Sequence, residues 1–191
     1  MRIRMLRLIG ALVGLAVAAM FSWAAASFGG AQSLGFGQPA VHRVPNVVVR
    51  DAGGHRVRLQ VASGPRLVVL GYVGCGTTCP RTLAAVSQAL QASPHRASVR
   101  ALFVDIDPRI DTTPVVRKFV QHFSGVEGIV PDVADVPTIE RALGAAGDRR
   151  RDGLIDHDAR IFVVDARGVV VDTLLPEVTQ EQLARVIAAQ R

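Results

Sequence analysis

Two cysteines, the only ones in the 191-residue chain, stand in the run Cys75-Gly76-Thr77-Thr78-Cys79-Pro80. Thiols at this spacing suit soft-metal or redox chemistry, because the thiolate is both the metal ligand and the nucleophile. The apolar run Leu67-Val68-Val69-Leu70-Gly71-Tyr72-Val73 precedes them and a helix-like segment follows. Residues i and i+4 share a helical face and a helix N-terminus favours negative charge. Both sulfurs are therefore expected to point one way, with lowered pKa values.

A structural disulfide is the plainest alternative for an exported chain, but closing so short a loop contributes only about 2 kcal/mol in the chain-entropy model. The pair can form a redox-active disulfide or stay open around a metal. Structural zinc takes four ligands, whereas Cu(I) is content with two or three. The third ligand must come from five histidines. His42, His55, His95 and His122 read as surface residues. His157 stands at the head of a strand expected over residues 159–164, where a loop can meet the cysteine helix. Asp156 and Asp158 flank it and point to the opposite face in extended chain. Asp105 and Asp107, ending the strand expected over 99–106, are placed to support the site from behind.

These residues need a scaffold. The pattern over 47–61 alternates around Asp51-Ala52-Gly53-Gly54 and predicts a β-hairpin. Residues 66–72 read as a buried central strand and 80–92 as a helix, with Leu83, Val86 and Leu90 at helical spacing. A strand over 99–106 and helices over 113–123 and 136–143 follow. Strands over 160–164 and 169–172 flank the turn Asp165-Ala166-Arg167-Gly168, and a helix over 179–189 is capped by Thr179. This order predicts an α/β chain with a central mixed β-sheet flanked by helices. Two thiols at its first βα junction make a thioredoxin-like fold the leading expectation.

The N-terminus carries Arg2, Arg4 and Arg7, then an uncharged apolar run from Leu8 to Ala26. That pattern predicts a signal peptide or transmembrane anchor over 1–27, a linker over 28–40 and one domain over 41–191. Arginines before the run and none soon after it place the domain outside the cytoplasm, in the periplasm. The net charge of +6 falls to about +3 once those three arginines are set aside, leaving 19 basic against 16 acidic residues. No basic stripe with interleaved aromatics remains, so no nucleic-acid footprint is present. Arg149-Arg150-Arg151, between Asp148 and Asp152, reads as a solvated loop.

The chain resembles the SCO/SenC family of membrane-anchored, thioredoxin-like copper proteins over roughly residues 40–190. Three motifs carry the resemblance: Gly71-Tyr72-Val73-Gly74-Cys75-Gly76-Thr77-Thr78-Cys79-Pro80, Val104-Asp105-Ile106-Asp107-Pro108-Arg109-Ile110-Asp111-Thr112-Thr113-Pro114 and Ile155-Asp156-His157-Asp158-Ala159-Arg160-Ile161. It implies copper ligation by Cys75, Cys79 and His157. It further implies an assembly role at the CuA centre, with a cytochrome c oxidase subunit or another copper-accepting protein as partner. Gly76 departs from the proline usual in the family. The rival reading is a periplasmic thiol-disulfide oxidoreductase in which Cys75 and Cys79 form the redox-active pair.

Overall fold

The computed structural model describes residues 41–60, 64–157 and 159–190. The segments expected to form the anchor and the linker lie outside these residues. No described helix is long and apolar enough to cross a membrane.

Arg66 and the apolar run from Leu67 to Gly71 form β3 (Arg66–Gly71), and every one of its six residues is buried. β3 lies in the middle of a seven-stranded sheet of order β2-β1-β5-β4-β3-β8-β9. Its neighbours are β4 (Arg100–Asp105), parallel to it, and β8 (Ile161–Val164), antiparallel. β5 (Val126–Pro131) continues the parallel part, and β1 (Val48–Asp51) with β2 (Arg56–Arg58) adds the N-terminal hairpin. β9 (Val170–Leu174) closes the other edge. The mixed sheet and the hairpin agree with the sequence expectation.

One face of the sheet buries Leu67, Val69, Ala101 and Phe103 against α1 (Thr78–Ala92), α2 (Thr113–Val120) and α4 (Gln180–Ala189). The other buries Val68, Leu70, Leu102 and Val104 against α3 (Val136–Leu143). The two-residue alternation of each strand thus feeds two cores at once. Thr179 and Gln182 form a full capping box on α4.

Three strands escaped the sequence reading. β5 carries Glu127, Gly128 and Pro131, which depress strand propensity. Gly128 is there for space: a Cβ would lie 2.8 Å from Val116 Cγ1, so only glycine lets α2 approach the sheet. β6 (Gly147–Arg149) and β7 (Ile155–His157) form a separate two-stranded sheet, polar and largely exposed, with no apolar alternation to read.

Candidate metal centre

The site lies where β3 ends. Parallel β3, β4 and β5 bring their C-terminal ends to one edge of the sheet, and antiparallel β8 starts there. Cys75 sits in the loop after β3, tied by its N–H to the Tyr72 carbonyl at 3.1 Å. Cys79 sits in the first turn of α1, so the pair straddles the helix start rather than sharing a full turn. Gly71 makes the room: a Cβ there would meet Cys79 Sγ at 2.6 Å and Phe103 Cε2 at 2.8 Å.

His157 ends β7 and reaches both sulfurs. Its Nε2 lies 3.4 Å from Cys75 Sγ and 3.6 Å from Cys79 Sγ. A first-row metal about 2.3 Å from sulfur and about 2.1 Å from nitrogen separates such atoms by about 3.6–3.8 Å at tetrahedral to trigonal angles. The spacing therefore fits one shared ion with little movement. Among the described residues, these three form the one group of histidine, cysteine and carboxylate side chains spaced to hold a metal.

The thiols are unequal. Cys79 is 1% exposed, and burial, reinforced by its neighbour Cys75, pushes its thiol well above the ordinary range. The sequence expectation of two lowered thiol pKa values fails for Cys79, because desolvation outweighs the helix N-terminus. Cys75 is half-buried.

The supporting residues were only partly visible in the sequence. Asp105 is fully buried, and burial with Asp111 beside it pushes its carboxyl up to about 9. Asp111 accepts a 2.7 Å hydrogen bond from the Val73 N–H, fixing the approach to Cys75. Asp107 is bound by Arg149. Arg149 stays exposed, as the solvated reading has it, but it lies in β6 rather than a loop and its guanidinium pairs with a buried carboxylate. Arg150 matches that reading better, pairing with exposed Asp152 and Asp156.

Tyr72 was missed. Its ring meets the His157 ring edge-on at 5.6 Å, and its hydroxyl accepts a hydrogen bond from the Ile155 N–H at 3.3 Å. The one signal was that the chain's single tyrosine stands three residues before Cys75. His55 remains an exposed residue beside Asp51.

Comparison with known proteins places this geometry in context. The family model described as SCO1/SenC matches residues 42–190. The mitochondrial SCO2 homolog of Bos taurus is 29% identical over 131 residues, covering 62% of this chain and 49% of that protein. A SCO2-like protein of Rickettsia conorii is 24% identical over 110 residues, 53% of this chain and 54% of the relative. The chain thus spans about half the length of these curated relatives. Among solved structures, Bradyrhizobium japonicum ScoI with copper bound superposes with a TM-score of 0.68 at 25% identity, over 78% of this chain and 99% of that one. Yeast Sco1 with copper bound shares the fold at 17% identity, with a TM-score of 0.68 over 78% of this chain and 87% of that one. A match running through both thiols, the strand edge behind them and His157 settles the kinship: the chain belongs to the SCO1/SenC family.

Proposed function

We propose that the protein binds copper through Cys75, Cys79 and His157 and passes it to the CuA centre of a cytochrome c oxidase subunit or to another copper-accepting protein. The observation that carries this reading is the approach of one imidazole nitrogen to both sulfurs, at 3.4 and 3.6 Å. Two soft thiolates and a borderline imidazole select copper over hard cations. Three ligands hold the ion while leaving room for an incoming thiolate, so transfer proceeds by ligand exchange rather than by release to water. The copper-bound ScoI relative supports the same choice of metal.

Because ligands bind deprotonated, loading expels the proton of the raised Cys79 thiol. That proton alone strengthens retention about tenfold per pH unit while the Cys79 thiol stays protonated in the metal-free protein. We assign residues 1–27 to a signal or membrane anchor, 28–40 to a linker and 41–191 to the metal-binding domain, held at the inner membrane or secreted, on the periplasmic side.

The test is a Cu(I) competition titration of the reduced protein beside His157→Ala. Loss of affinity in the variant is expected, and equal retention removes the histidine from the account.

A second reading, thiol-disulfide exchange, draws on the unequal burial of the thiols. The Cys75 thiolate would attack a substrate disulfide and Cys79 would resolve the mixed disulfide. The substrate then leaves as a dithiol, and two electrons have left the protein pair. A measured turnover in the absence of metal distinguishes this reading from copper transfer.

A further inference from the structure

We propose that Arg149 and Asp107 form a clamp that positions His157, an inference that rests on the copper reading above. The hairpin of β6 and β7 pairs only with itself, with Gly147 opposite His157 and Arg149 opposite Ile155. Among the described residues, no ladder hydrogen bond ties it to the seven-stranded sheet. Side chains supply its attachments.

The Arg149 guanidinium supplies one. Its Nη2 pairs with Asp107 Oδ1, a carboxylate 4% exposed, while its Nη1 donates to the Gly153 carbonyl at 2.9 Å in the hairpin's own turn. One fork thus joins the tip of the hairpin to the body, a geometry that a lysine's point charge cannot reproduce. The Tyr72 hydroxyl and the Ile155 N–H supply a second tether.

The anchoring loop gives the clamp its meaning. The Asp107 carbonyl accepts the N–H groups of Ile110 and Asp111, both at 2.9 Å, which stiffens residues 107–111. At its far end Asp111 holds the Val73 N–H, two residues before Cys75. One short loop therefore references both the cysteine segment and the histidine hairpin, and Arg149 is the link on the histidine side. Arg149 and Asp107 are positioning residues: neither is among the groups that would grip the ion.

The test is a double-mutant cycle on the full chain with Arg149→Gln and His157→Ala, read by Cu(I) competition, together with hydrogen exchange of the metal-free protein. Arg149→Gln is expected to weaken copper retention about tenfold. It is also expected to speed exchange of the hairpin amides while β3 amides stay protected. In the His157→Ala background the same substitution should have no further effect on copper. Arg149→Lys, which keeps a cation opposite Asp107 but loses the Gly153 bond, should fall between and guards against a folding defect in the glutamine variant. An equal loss in both backgrounds overturns the clamp, as does unchanged hairpin exchange. If His157→Ala itself leaves copper retention intact, the copper reading fails, and the exchange result still decides whether Arg149 holds the hairpin.

Discussion

The two thiols and the imidazole that face them are held by different kinds of structure. Cys75 and Cys79 hang from β3, a wholly buried strand bonded on both sides, and from the first turn of a helix packed on the main core. His157 hangs from a polar two-stranded hairpin fastened by an ion pair, a tyrosine hydroxyl and the packing of Ile155. The sulfurs stand on a platform built from the core, and the nitrogen on a lighter hairpin. On the proposed copper-transfer reading that division is useful, because the ligand to be withdrawn sits on the element with fewer ties to the core.

The contrast breaks first on stability. Phe103, fully buried under the platform, should cost about 3–5 kcal/mol when cut to alanine. Leu154, 45% exposed at the hairpin tip, should cost less than about 0.5 kcal/mol. Denaturant unfolding of the two variants compares them directly, and similar losses would erase the distinction.

Next in size is Gly71→Ala. The added methyl collides with Cys79 Sγ and with the Phe103 ring, so a loss of roughly 1–3 kcal/mol is expected together with impaired copper retention. Thermal melts and copper titration of the same sample read both effects. A neutral substitution would mean that the platform is softer than its burial implies.

Asp105 sharpens the picture through pH. Its folded pKa, raised to about 9, exceeds the ordinary carboxylate value, so the folded state holds the proton more tightly than the unfolded one. Its penalty is absent below about pH 4, where both states are protonated, and grows as pH rises toward about 9. Asp105→Asn should therefore stabilise the protein at pH 8, by an amount on the order of 5 kcal/mol, with the gain vanishing near pH 4. Unfolding curves across that range check the sign, and a pH-independent difference would contradict it.

The smallest effect concerns the hairpin alone. Arg150→Ala removes exposed pairs with Asp152 and Asp156 and should change stability by less than about 0.5 kcal/mol, in contrast to Arg149, whose partner Asp107 is buried. Equal consequences at the two positions would show that burial of Asp107 adds nothing.

The same contrast governs what the sequence disclosed. The platform was legible because its signals are local and strong: the apolar run of β3, helical spacing in α1, and two thiols between them. The capping box of α4 was legible for the same reason. β5 was not, since Gly128 obeys a tertiary demand from Val116 rather than strand propensity. The hairpin was least legible, because Gly147, Asp148 and Arg149 lack any periodicity and derive their order from Asp107, 42 residues away from Arg149. His157 could be singled out by its place ahead of the strand that forms β8, but β7, which it ends, and what holds it could not. Nor could the raised Cys79 thiol, which depends on burial beneath Gly71 and beside Phe103.

The central claim is that two sulfurs and one imidazole grip the same ion. X-ray absorption of the reduced, copper-loaded protein tests it most directly. The account predicts two sulfur scatterers and one histidine nitrogen in the first shell, with the nitrogen lost in His157→Ala. A shell made of sulfur alone, or one that His157→Ala leaves unchanged, would contradict it.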